Sequence, residues 1–164
     1  HTVNLRPALV YGPGMKANLA RLIAVAQRGW LPPLPETGNQ RSLVHVDDVV
    51  QAMLLGAADP VAAGKTYFVT DGRTYSGREL SLILRETLGR PLINYTAPAK
   101  VIYGAAALAD GLLRLAGRRH HKVGEAVDKL LGWACYDSSR IEQELGYRPA
   151  WTLERYCQES RAQG

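Results

Sequence analysis

Residues 2–14 read TVNLRPALVYGPG, and the fold turns on how that stretch is taken. Thr2 to Tyr11 is rich in strand-forming residues, and Gly12-Pro13-Gly14 closes it as a turn. A strand at the very first residues, with no cap or Met ahead of it, is expected of a chain cut from something larger. Outward from there, Leu19, Leu22, Ile23 and Ala26 lie on one face of a helix over Asn18 to Arg28, which Gly29 stops. Trp30 to Gly38 (WLPPLPETG) holds three prolines and reads as an extended loop. RSLVHV, Arg41 to Val46, predicts a strand, with Asp47 or Asp48 capping a helix over Val49 to Ala58 that Asp59-Pro60 ends. Lys65 to Thr70 (KTYFVT) predicts another strand, closed by Asp71-Gly72.

Ser76 opens a helix through Leu88, and Glu79 completes a capping box three residues on. Gly89-Arg90-Pro91 stops it, and Leu92 to Thr96 reads as a short strand. Pro98 to Ala116 is an apolar helix, followed by the basic run Gly117 to Lys122 and a helical turn over Ala126 to Leu131. Asp137 and Ser138 open a short helix ending at Leu145-Gly146, and Thr152 caps a last one. Strands alternating with helices define an α/β class with parallel pairing.

The composition excludes several classes. With 164 residues, 46% hydrophobic and 21% charged, the chain can bury a core and is neither disordered nor collagen-like. The most apolar stretch, Val101 to Leu113, is broken by Gly104, Asp110 and Gly111 and falls short of the roughly 18 residues a membrane helix needs. No secretory pattern is visible, and no membrane partner is expected. Cys135 and Cys157 lie far apart without a CxxC, so neither a metal nor a disulfide framework is expected and a reducing cytoplasm fits. Twenty Lys+Arg against 15 Asp+Glu leave a charge of +5, which attracts anions.

Few side chains carry chemistry by spacing alone. Arg41 stands where a polar loop meets an apolar strand, which suits a guanidinium fork gripping phosphate as well as it suits an ion pair. Asn18 at a helix start could meet a phosphate, although an ordinary N-cap accounts for it. Gly12-Pro13-Gly14 is not a dinucleotide fingerprint. His45 reads as a half-buried strand residue, and Asp47 and Asp48 as caps. The run Arg118-Arg119-His120-His121-Lys122 lacks interleaved aromatics, so it reads as a solvated loop and no nucleic-acid partner is expected. Cys135 has no nominated base. Tyr136 and Arg140 mimic a Tyr-x-x-x-base spacing, yet arginine does not give up its proton.

LRPALVYGPG, NQRSLVHVDDVVQAMLLG, KTYFVTDGRTYS and YDSSRIEQELGYRPAWTLE occur in an order that resembles the second half of the extended short-chain dehydrogenases/reductases. Within them the chain is most similar to the nucleotide-sugar epimerases/dehydratases of the UDP-hexose 4-epimerase and reductase type. The family's Gly-x-x-Gly-x-x-Gly loop and Tyr-x-x-x-Lys pair do not occur in this sequence. The resemblance therefore implies a carboxy-terminal portion of a Rossmann-type enzyme: the last strands of its parallel sheet plus a small α/β substrate-binding lobe. Residues 1–75 would hold those strands interleaved with substrate loops, and 76–164 a mainly helical lobe.

By the same resemblance Arg41 contacts the substrate diphosphate, Asn18 and Leu19 meet the nucleotide, and Pro33, Leu34 and Pro35 lie along the base. Arg6 and Pro7 fall beside the nicotinamide end of an NAD or NADP that the whole enzyme, and not this portion alone, would bind. Leu9 replaces an asparagine common in the family. Arg118, Arg119, Lys122 and Lys129 are all candidates for a second diphosphate contact. The function implied is UDP-sugar binding for an enzyme acting at C4 of the hexose, the isolated chain being inactive. A non-catalytic nucleotide-sugar or protein-interaction module is the alternative. Bare strand edges would favour self-association or a homodimer.

Overall fold

The computed structural model describes residues 1–15, 19, 23, 28, 38–89, 98–115 and 132–162. The expected strand over Leu92 to Thr96, the basic run and the turn over Ala126 to Leu131 lie outside them, as does most of the expected helix and loop within 16–37.

The opening stretch is not one strand but two, β1 (Asn4–Pro7) and β2 (Leu9–Tyr11). β1 pairs in parallel with β4 (Thr66–Val69), whereas β2 pairs in parallel with β3 (Arg41–His45), whose far edge takes the short antiparallel β5 (Thr74–Tyr75). Two sheets result, ordered β1-β4 and β2-β3-β5. The break falls where the chemistry allows it. Pro7 has no N–H for a ladder, and the N–H of Ala8 is the last to bond β4, reaching the Val69 carbonyl at 2.9 Å.

Beyond β2 the chain turns sharply at Gly12, whose φ is +141°. A Cβ there would lie 2.7 Å from Val46 Cγ1, so only glycine fits both the dihedral and the space.

Helix α1 (Val46–Ala58) starts three residues earlier than its spacing predicts, and its cap differs. Neither aspartate caps it. The chain passes from strand to helix without a loop, so His45 is the last extended residue and its Nδ1 accepts the Asp47 N–H at 3.3 Å. Asp48 is instead 2% exposed and reaches across the fold, accepting the N–H of Ala150 at 2.9 Å and of Trp151 at 3.2 Å. A 3-10 turn (Pro60–Ala62) follows α1, capped by Asp59.

Helix α2 (Gly77–Thr87) carries both bonds of the Ser76/Glu79 capping box. Helix α3 spans Ala99–Leu115. Helix α4 (Ser139–Leu145) starts where the Asp137 carboxylate accepts the Ser139 N–H at 2.8 Å, and stops at Gly146 in the left-handed conformation. Helix α5 (Leu153–Ala162) begins with Thr152 Oγ1 accepting the Arg155 N–H. None of the described helices is long and apolar enough to cross a membrane.

The chain divides into two compact units, one of His1–Met15, Gln40–Tyr75 and Ala134–Gly164, the other of Lys16–Asn39 and Ser76–Trp133. In the first, Ala8, Val44, Ala52, Tyr67, Val69, Ile141 and Tyr147 form the buried core, and their removal from water is its main stabilisation. Glu144 of α4 closes one edge, accepting from Lys65 Nζ and Tyr67 Oη at 2.7 Å each and from Arg140 Nε at 3.1 Å. Those bonds hold its carboxyl down at about 2, while burial and the bond to Glu144 push the Tyr67 hydroxyl up to about 12. In the second unit, Leu80, Ile83 and Leu84 supply the buried face of α2, and Asn39 Oδ1 accepts the Gly77 N–H.

Candidate functional site

The residues around Arg41 form the candidate site. Arg41 is the first residue of β3, and the 134–136 segment is tied alongside it. Ser42 N–H donates to the Ala134 carbonyl at 2.9 Å, and the Ala134 N–H to the Gln40 carbonyl at 3.0 Å. Ser42 Oγ then accepts the Tyr136 N–H at 3.0 Å and donates to the Tyr136 carbonyl at 3.3 Å. These bonds set Tyr136 and Cys135 beside the half-buried Arg41 guanidinium. Burial lowers its pKa and the two neighbours raise it, but a guanidinium stays charged through any such shift.

The Tyr136 ring stacks on Phe68 with centroids 5.1 Å apart and planes 16° from parallel. Phe68 is the register partner of Arg6, so their side chains share a face of the β1-β4 pair. The arrangement runs from exposed Arg6 through a stacked aromatic pair to Arg41. Planar forks of this kind suit the oxygens of a phosphate or diphosphate, and the rings offer an apolar surface to a flat or hydroxylated ligand. Phe68 and Tyr136 were not singled out as site residues from the sequence. An aromatic residue in a strand reads first as a strand former, and the stacking that joins this pair leaves no local signal.

Of the other residues expected to act, Pro7 ends β1 and is exposed. Leu19 is 3% exposed. Asn18, Pro33, Leu34 and Pro35 lie outside the described residues, as do the four late basic candidates. His45 is fully buried rather than half-buried. Its Nδ1 is engaged by the Asp47 N–H, and burial lowers its pKa, so it is no free base. Arg140 packs over the Tyr67 ring at 5.3 Å and bonds Glu144, a structural role. Cys135 is exposed and Cys157 buried, both as free thiols. No group of three or more metal-ligating side chains gathers among the described residues.

The parallel pairings and the alternation of strand with helix give a Rossmann-like α/β fold, as in solved structures of epimerases. Over residues 1–70 the chain matches the model of the NAD dependent epimerase/dehydratase family. Among its relatives, UDP-glucose 4-epimerase of Vibrio cholerae is 32% identical over 93% of this chain and 43% of its own length. A 2-alkyl-3-oxoalkanoate reductase of Stenotrophomonas maltophilia is 32% identical over 93% of this chain and 48% of its own. The crystal structure of a Thermotoga maritima UDP-glucose 4-epimerase with UDP-glucose superposes with a TM-score of 0.61 at 22% identity, covering 96% of this chain and 44% of that one. The chain thus spans less than half the length of each of these proteins.

Proposed function

We propose that the chain is the nucleotide-sugar-binding, carboxy-terminal portion of a cytoplasmic NAD(P)-dependent epimerase/dehydratase acting at C4 of a UDP-hexose. The observation that carries this is Arg41, a permanently charged fork set beside Tyr136 and at the start of a strand. Its place matches the diphosphate contact that the family resemblance assigns.

The residues present do not by themselves fit a dinucleotide cradle. The sequence has no Gly-x-x-Gly-x-x-Gly, and the described chain would offer a cofactor only the exposed end of β1 at Arg6 and Pro7. NAD(P), held by the rest of the enzyme, would supply hydride transfer there. A catalytic tyrosinate needs a lowered pKa, whereas burial raises the pKa of Tyr11, Tyr67, Tyr75 and Tyr147. None of the eight tyrosines has a lysine four residues on. The chain's share is thus binding and orientation: Arg41 on the diphosphate, Asn18 and Leu19 on the nucleotide, and Pro33, Leu34 and Pro35 along the base.

Titration with UDP is expected to shift the amide resonances of residues 40–42 and 134–136 saturably. Arg41→Ala is expected to weaken that binding at least about tenfold, the loss of one charge-assisted contact, while the remaining spectrum stays folded. Equal affinity in the variant overturns the assignment.

Self-association belongs to the same reading, because β1 bonds only β4 among the described residues and leaves its other edge open. The mass measured by size-exclusion chromatography with light scattering is expected to rise with concentration; a monomer at every concentration refutes it.

A further inference from the structure

Away from Arg41, beside the N-terminus of α1, a cleft of about 380 Å³ is lined by residues that include His45, Asp47, Trp151, Tyr156 and Glu159. Among the described residues, neither Arg41 nor Leu19 lines it, and no lysine or arginine does. Two carboxylates line it, and one of them, Glu159, bonds Arg155, which packs against the lining. The Asp47 and Glu159 side chains are 67% and 42% exposed; Asp47 Oδ2 lies 3.6 Å from His45 Nδ1, and Glu159 accepts from Arg155.

Between them lies an aromatic layer. Trp151 stacks on His45 at 4.4 Å, and Tyr156 packs against His45 at 5.3 Å. His45 is 2% exposed, and its Nε2 is buried without a hydrogen-bond partner among the described residues. Burial also favours its neutral form, so it adds no positive charge to the cleft.

The fold shows what these groups hold. The Arg155 guanidinium sits 4.7 Å over the Trp151 ring, while its Nε donates to Glu159 at 2.9 Å. A ring face backed by a carboxylate is the arrangement that binds organic cations.

We propose that this cleft is a binding site for an organic cation, a guanidinium or alkylammonium group seated between Asp47 and Glu159 against the aromatic layer. Its volume, near the lower end for small-ligand sites, suits one side-chain-sized group. That group is presented by a small amine or by a basic residue of a polypeptide. The site is independent of the nucleotide-sugar reading and stands or falls separately.

The test uses the 164-residue chain with Trp30 and Trp133 changed to phenylalanine, so that Trp151 alone of the three tryptophans fluoresces. Ethylguanidinium chloride is titrated against sodium chloride of equal ionic strength, in parallel with the blocked tripeptide Gly-Arg-Gly. A saturable change with ethylguanidinium is expected. The Asp47→Asn/Glu159→Gln double variant is expected to weaken it about tenfold or more, as exposed to partly desolvated cation contacts would.

Arg155→Ala removes the internal competitor and is expected to tighten binding several-fold, an outcome that damage to the fold would not produce. Tighter binding of the tripeptide assigns the site to a polypeptide and equal binding to a small amine, and either result sustains the proposal. A response matched by sodium chloride, or one that the double variant leaves unchanged, overturns it.

Discussion

Replacing Asp48 by alanine is expected to lower the stability of the chain by about 3 kcal/mol, roughly two net hydrogen bonds from backbone N–H groups to a buried carboxylate. Asp48 belongs to the first turn of α1, yet its two oxygens take the N–H groups of Ala150 and Trp151, residues 102 and 103 positions away. Without the carboxylate both N–H groups lose their partner at a part-buried position. Asp48→Asn keeps one acceptor and turns an amide N–H against the other donor, so about half the loss is expected. Urea denaturation of the three proteins measures this. A loss under about 1 kcal/mol in the alanine variant would show that the 150–151 segment is held by something else.

The second large effect is a dependence on pH. Asp71 is 4% exposed, and burial pushes its carboxyl from the ordinary 3.8 up to about 6, against the opposing bonds from Tyr75 and the Arg73 N–H and with Glu154 nearby. The folded chain therefore binds this proton more tightly than the unfolded chain. Below the unfolded value both states are protonated and the group costs nothing. As pH rises toward 6 the unfolded chain ionises first, and stability falls. Above 6 the full cost of a buried carboxylate is present, about 3 kcal/mol for a shift of this size.

His45, held neutral by burial, works in the opposite direction, losing stability as pH falls. The decisive quantity is thus the difference between the wild type and Asp71→Asn, which leaves His45 in place. That difference is expected to swing by about 2 kcal/mol in favour of the asparagine variant between pH 4 and pH 7. A constant difference across that range would show that Asp71 titrates normally. The structural stake is the link Leu153 N–H to Tyr75 Oη to Asp71 Oδ2, with bonds of 3.3 and 2.8 Å, which ties the start of α5 to the turn after β4.

The site was legible in part. Arg41 could be picked out because a charged residue opening an apolar strand is conspicuous in the sequence, and the structure places it at the start of β3. What surrounds it could not be. Tyr136 reaches it through Ser42, 94 residues earlier in the chain, and Phe68 is joined to Tyr136 by a ring stack that no spacing records. The paired aspartates misled for the same reason. Two acids at a helix start look like caps, but the cap was taken by His45 and Asp48 was drawn off by distant backbone.

By itself the sequence determined the elements whose causes act over a few residues: the Ser76/Glu79 capping box, the stop at Gly146, the glycine turn at Gly12 and the alternation of strand and helix. Those signals work through dihedral preferences and bonds three or four residues long, so any local reading finds them. Only the tertiary structure decided that TVNLRPALVY divides at Ala8, with β1 given to β4 and β2 to β3. Strand pairing is settled by which distant edge satisfies each N–H and carbonyl and buries each face. A run of strand-forming residues carries no record of that competition.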